Sequence, residues 1–155
     1  MSGAPWLTEE QQRAWRAYLR MQARLTAALN RQLQKDSGLS LPDYEVLVQL
    51  TDAPTGRLRP YALQRSLEWE QSRLSHHLRR MQRRGLIDRV DCGGDGRGAY
   101  VVLTDAGRAA IAAAAPAHVA TVRRRFFDHL TPAQVATVAA VSARVLDGLD
   151  DAAGD

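Results

Sequence analysis

The densest chemistry in the chain lies between Arg73 and Arg84, where five arginines (Arg73, Arg79, Arg80, Arg83 and Arg84) occur without one acidic residue. Ser72, Ser75, His76 and His77 are interleaved with them, while Leu74, Leu78 and Met81 recur at helical spacing. Such a segment reads as a helix with an apolar stripe for its own core and a cationic, hydrogen-bonding face for a polyanion. Guanidinium groups suit phosphates because their planar fork presents paired donors at fixed charge. Ser72, Arg73, Ser75, His76 and His77, at the front of the segment, are the candidates to meet base edges. Arg79, Arg80, Arg83 and Arg84 are the candidates to meet phosphates, contacts that position without reading sequence.

A second cluster follows at Gly93-Gly94-Asp95-Gly96-Arg97-Gly98, four glycines in six residues around a single arginine. A tip this narrow can enter a minor groove about 6 Å wide. There Arg97 would be drawn by the negative potential of A·T-rich sequence, with Asp95 placed to hold its guanidinium by a charge-assisted bond.

Other chemistries lack their residues. No phosphate-cradling loop follows a strand into a helix, and neither H-E-x-x-H nor G-x-S-x-G occurs. Cys92 is the single cysteine, so the monomer can build neither a disulfide nor a thiolate zinc site. His76 and His77 are adjacent and would point about 100° apart on a helix, a poor metal pair. His118 and His129 have no carboxylate or cysteine at ligand spacing. The expectation is a protein that is not an enzyme and carries no metal or cofactor. The N-terminus shows no basic-then-apolar signal pattern, and no apolar run approaches the roughly 18 residues of a membrane span. A cytoplasmic location without membrane contact is expected.

The elements that would position these clusters can be traced along the 155 residues, a length that fits one domain. Hydrophobic residues make up 45% and aromatics 6%, a balance rich in Leu, Val and Ala that favours helices over a large sheet. A long first helix is expected from a Thr8 cap to about Lys35, with an apolar stripe from Trp15 through Leu19, Leu25 and Leu29 to Leu33. A second helix is expected from about Pro42 to Leu50, a short strand at Arg57-Leu58-Arg59, and a third helix from Pro60 to Leu67. After a turn at Glu68-Trp69 comes the basic helix, Gln71 to Arg84. A hairpin follows, Leu86 to Cys92 and Ala99 to Leu103. Thr104 and Asp105 can cap a fifth helix that Pro116 should kink or split. A last helix is expected from Pro132 to about Leu149. This order is that of a winged helix-turn-helix, in which a short helix braces a basic one against a major groove about 12 Å wide.

The sequence is similar to the MarR family of regulators. The residues carrying the resemblance are Asp43-Tyr44-Glu45-Val46-Leu47-Val48-Gln49-Leu50, Ser72-Arg73-Leu74-Ser75-His76-His77-Leu78-Arg79-Arg80-Met81, Arg84-Gly85-Leu86-Ile87, the wing Asp95-Gly96-Arg97-Gly98, and Leu103-Thr104-Asp105-Ala106-Gly107. It extends from about Trp15 to Leu149. It implies a mainly α fold with a small β-hairpin wing, one MarR-like domain over residues 1–155. The DNA-binding lobe would span about 39–104, and dimerisation helices about 6–37 and 105–150. It further implies a homodimer on double-stranded DNA, acting on a palindromic operator as a repressor, with a non-specific architectural DNA binder as the alternative.

Many members of the family release DNA on binding a small aromatic or phenolic anion. A cleft where the first, second and fifth helices meet would take such an effector, with Trp15, Tyr18 and Tyr44 as walls and Arg16 to neutralise a carboxylate. The competing reading makes these rings core. Redox-sensing members carry a cysteine near the start of the first helix, and none stands there. Cys92 reads as a small strand residue. One departure from the family is Leu63-Gln64, where the brace helix usually has Leu-Ala.

Overall fold

The computed structural model describes residues 6–91 and 98–152, so the expected groove-entering tip, with Cys92, Asp95 and Arg97, lies outside the described residues. Six helices and a three-stranded antiparallel sheet follow one another in the expected order: α1 (Glu9–Ser37), α2 (Leu41–Asp52), β1 (Arg57–Leu58), α3 (Pro60–Leu67), α4 (Gln71–Arg83), β2 (Ile87–Asp91), β3 (Ala99–Leu103), α5 (Asp105–Arg125) and α6 (Pro132–Ala152). The fold is mainly α with a small hairpin wing.

Local signals set most boundaries. Thr8 caps α1 through a reciprocal box: its hydroxyl accepts from the Gln11 amide, and the Gln11 side chain accepts from the Thr8 amide. Gly38, at φ 69°, closes the helix in the left-handed conformation that glycine adopts without strain. Ser40 and Asp43 form the same reciprocal box at the start of α2. The α1 stripe sinks along its length: Trp15 and Leu19 are exposed, Leu25 and Leu29 half-buried, and Leu33 fully buried.

The chain forms two compact units, residues 1–118 and 119–155. In the first, Leu47 and Leu50 of α2, Leu63 of α3, Leu78 and Met81 of α4 and Val101 of β3 bury completely or almost so. The sheet order is β1-β3-β2, with Leu58 opposite Val101 and Ile87 opposite Leu103 on its core face. In the second unit a short 3-10 turn, Phe127–His129, leads into α6, which Thr131 and Gln134 cap reciprocally. No residue of α6 is buried, and Val138, Val141, Val145 and Leu149 are all exposed.

Pro116 does not split α5, which runs unbroken from Asp105 to Arg125. The lost bond would have ended on the carbonyl of Ala112. Both Pro116 and Ala112 face solvent, so water can satisfy that carbonyl where a buried one would have forced a break.

Glu68 sits between α3 and α4 with φ 55°, the one non-glycine residue at positive φ among those described. A side chain there costs about 1–2 kcal/mol. Glu68→Gly is expected to stabilise the protein by about 0.5–1 kcal/mol, because relief of the strain outweighs glycine's extra chain entropy. Urea unfolding would measure this, and a loss of stability would mean that the Glu68 side chain contributes more than the strain removes.

Candidate nucleic-acid interface

α4 carries the cationic face that its sequence promised. Leu74, Leu78 and Met81 point into the core, while Ser72, Arg73, His76, Arg79, Arg80 and Arg83 are exposed and Ser75 is half-buried. Arg73 is mounted on a ring: its guanidinium carbon lies 4.3 Å from the centroid of Trp69, itself a nearly buried residue just before the helix. Indole is the strongest cation–π partner among side chains, so the contact both attracts and orients the guanidinium.

Two residues assigned to this face do other work. His77 was expected to meet DNA, but its side chain is only 12% exposed. Its ring meets the edge of Trp69 at 5.4 Å, and its Nε2 lies 2.9 Å from Oδ1 of Asp43. The two atoms are close, but the line of approach does not meet hydrogen-bond geometry. Its spacing explains the burial: position 77 falls three residues after Leu74 and four before Met81, on the apolar stripe. Arg84 was expected to meet a phosphate. Its side chain is 42% exposed, and it donates from Nη1 to Oδ2 of Asp43 at 2.6 Å and from Nη2 to the Gly38 carbonyl at 2.9 Å.

Asp43 is therefore a hub. Its side chain is almost buried, and it ties the α2 cap, the α4 ring of His77, and Arg84 at the end of α4 to one carboxylate. Burial alone would raise its pKa, but contacts from His77 and Arg84 and the Ser40 amide together hold it far below the usual carboxylate range.

Trp69 is also one wall of a groove of about 430 Å³, lined further by Leu41, Tyr44 and Val48 of α2, Leu67 of α3 and His118 of α5 among others. The Tyr44 and His118 rings lie 4.4 Å apart, and His118 Nδ1 is 3.1 Å from Oε1 of Gln32. Burial lowers the pKa of His118 and raises that of Tyr44. Glu45 also lines the groove; burial raises its carboxyl, while Arg73 and His77 pull it down. Of the four expected cleft residues, Tyr44 is in this wall. Trp15 and Tyr18 stack on each other at 5.7 Å on the exposed part of α1, and Arg16 is exposed beside them. The brace helix keeps Leu63 buried and turns Gln64 into a notch beside α4, so the larger side chain is accommodated there.

Among the described residues no group of three or more His, Cys, Asp or Glu is placed to hold a metal, and no helix is long and apolar enough to cross a membrane.

Comparison with known proteins agrees with this architecture. The MarR family model matches residues 37–98. AbsC from Streptomyces coelicolor, a MarR family transcriptional regulator, superposes with a TM-score of 0.89 at 36% identity, over 96% of this chain and 99% of that one. Sco3205 from the same organism, a MarR family transcriptional regulator solved in complex with DNA, gives 0.90 at 38% identity over 96% and 93%. BpsR of Bordetella bronchiseptica, whose DNA binding is regulated by 6-hydroxynicotinic acid, shares the fold at 22% identity with a TM-score of 0.78, over 93% and 99%. No curated protein matched. The identity to AbsC and Sco3205 over nearly the whole of each chain, with the winged helix-turn-helix built as described, shows that this chain belongs to the MarR family of transcriptional regulators.

Proposed function

We propose that the protein is a sequence-specific repressor that binds a palindromic operator as a homodimer and is released by a small aromatic ligand. The observation that carries the DNA reading is the α4 face, where Ser72, Arg73 and His76 are exposed at the front of a helix whose arginines Arg79, Arg80 and Arg83 continue along it. Arg73, pre-oriented on Trp69, is the base reader. Asp95 and Arg97 complete the reading from the wing. Exposed apolar residues on α1 (Trp15, Leu19, Met21) and α6 (Val138, Val145, Leu149) support the dimer, since so much apolar surface on two helices calls for a partner. The groove between Tyr44, Trp69 and His118 is the ligand site in this reading. Among the described residues its lining holds no arginine or lysine.

Fluorescence anisotropy on the DNA upstream of the protein's own gene, against a shuffled duplex at two salt concentrations, tests this. A preference of about a thousandfold or more supports a sequence-specific regulator. Equal, steeply salt-dependent binding to both supports an architectural role. Arg73→Ala is expected to weaken the specific complex by about 1–3 kcal/mol and relax base preference at one position per half-site. Arg80→Ala should instead weaken all sequences alike and lower the salt slope by about one per contact. The same base preference in wild type and Arg73→Ala would remove Arg73 from base reading.

A further inference from the structure

The groove beside Trp69 has a chemistry of its own. Its one acidic group among the described residues is Glu45 of α2, half-buried in the wall, and the rings of Tyr44 and Trp69 stand in the same wall. Arg16, the cation expected for an anionic effector, is not part of the lining. His118 brings no positive charge in its place, because burial lowers its pKa below the ordinary imidazole value. Its Nδ1 lies 3.1 Å from the Gln32 Oε1 acceptor, and a neutral ring that donates there keeps Nε2 as an acceptor. Two of these wall residues also act on α4. The Trp69 ring seats the Arg73 guanidinium at 4.3 Å. Burial raises the Glu45 carboxyl, while Arg73 and His77 pull it down, so Glu45 and Arg73 already attract each other.

We propose that this groove receives an arylalkylammonium ion, and that the ammonium competes with Arg73 for Trp69 and Glu45. It rests on the reading of the groove as the ligand site and specifies the occupant. An ammonium gains from both kinds of group in the wall: the face of an indole attracts a cation, and a carboxylate accepts charge-assisted hydrogen bonds from it. The half-buried Glu45 also discriminates by sign. A cation relieves the desolvation of its charge, whereas an anion adds like-charge repulsion to it. Leu41, Val48 and Leu67 provide apolar wall for the body of the ligand, and about 430 Å³ suits a small molecule. Competition follows because one ring and one carboxylate serve two cations. A positive charge in the groove repels the Arg73 guanidinium and draws on the same ring and the same carboxylate, so each cation weakens the hold on the other. Arg73 without its seat reaches a base only by ordering a free side chain, which costs affinity. Linkage makes the effect reciprocal: a duplex that fixes Arg73 on its ring lowers the affinity for the ammonium by the same factor.

The test begins with calorimetric titration of the full-length protein, without DNA, by three probes of similar size and different charge: 2-phenylethylammonium, 2-phenylethanol and phenylacetate. The ammonium is expected to bind at millimolar concentration or below, about tenfold or more tighter than the other two. Glu45→Gln should bring it down to the level of the alcohol, and Trp69→Leu should abolish its binding. Arg73→Ala should bind the ammonium more tightly than wild type, since the competitor is gone; a groove that only supports the fold would show no such gain. Thermal unfolding of each variant separates loss of the site from loss of the fold, and the exposed Arg73 keeps the test standing even where Trp69→Leu unfolds. Phenylacetate binding as tightly as the ammonium, or no binding by any probe, would overturn the ammonium site. Unaltered affinity in Arg73→Ala would overturn the competition. Anisotropy on a duplex that wild type selects from a random pool completes the test, with the ammonium expected to raise the Kd for DNA. Release by phenylacetate and not by the ammonium would sink this occupant and leave the ligand-release reading intact. An ammonium that binds the groove without affecting DNA affinity would remove the groove as the site of release.

Discussion

Asp43→Ala is expected to destabilise the protein by about 3 kcal/mol, the lower end of what removal of one partner from a buried ion pair costs. The side chain of Asp43 is 4% exposed, so its carboxylate stands away from water; Arg84, at 42%, recovers some hydration and keeps the figure at the low end. The substitution also removes half of the α2 capping box, leaving the Ser40 amide without its carboxylate. Asp43→Asn should be milder, because an amide oxygen can still accept from Ser40 while no charge remains for Arg84. The pH dependence carries the same signature. The folded pKa is depressed, so the contribution is complete above the unfolded carboxylate value of about 4 and is lost progressively as pH falls below it towards the folded value. Wild type should therefore lose more stability than Asp43→Asn between about pH 5 and pH 3 in urea titrations. Parallel pH curves for the two proteins would mean that Asp43 is not held ionised by its neighbours. A functional consequence follows from the same geometry. Arg84 bonds the Gly38 carbonyl as well as Asp43, so the end of α4 is fixed to the α1–α2 junction, and Asp43→Asn should weaken DNA binding even at temperatures where it is fully folded.

Much of this architecture was legible from residue order because the signals are local. Thr8 with Gln11, Pro60 at the start of α3, and Leu103-Thr104-Asp105 before α5 each act within a few residues of themselves. Polarity, by contrast, did not reveal the contacts of two side chains. His77 looked like part of the basic face because it is titratable and flanked by polar residues, although its three- and four-residue spacing to Leu74 and Met81 marked the inner stripe. Arg84 bonds a residue 41 positions upstream, a distance at which spacing carries no information. The same holds for the guanidinium groups of Arg57 and Arg59 over the Tyr100 ring, which meet only because β1 pairs with β3 in one register; a slip of one residue would send Tyr100 into the core face. Trp69 read as part of a turn; its seat under Arg73 is a local contact four residues away, while its place in the groove wall depends on how α2 and α3 converge. For the interface, then, sequence located the helix and its exposed cations, while the contacts that orient them came from tertiary packing.

Gly107→Ala is expected to cost about 3 kcal/mol or more, at the upper end of overpacking effects, although alanine in a helix interior would ordinarily gain about 1 kcal/mol over glycine. A Cβ at position 107 would collide with the Leu86 carbonyl oxygen and lie 2.9 Å from Leu103 Cδ1 and 3.0 Å from the Leu86 carbonyl carbon. A flexible side chain could give way, but a backbone carbonyl here cannot. Leu86 O already accepts from the Thr104 amide at 3.3 Å and lies 2.9 Å from the Thr104 hydroxyl, which in turn caps the helix by accepting from the Gly107 amide. The first turn of α5 and the root of β2 are thus joined at their closest approach, and only a residue without Cβ fits between them. Relief requires the helix start to move away from the hairpin, so DNA affinity should fall in Gly107→Ala beyond what its unfolded fraction explains, measured by anisotropy well below the melting transition. Gly148→Ala is the matched control. Nothing lies within 4 Å of its Cβ position in α6, and it should gain up to about 1 kcal/mol from helix propensity alone. Gains of similar size at both positions would show that the α5–β2 junction opens without strain. Opposite signs would locate the coupling between the wing and α5 at one missing methyl group.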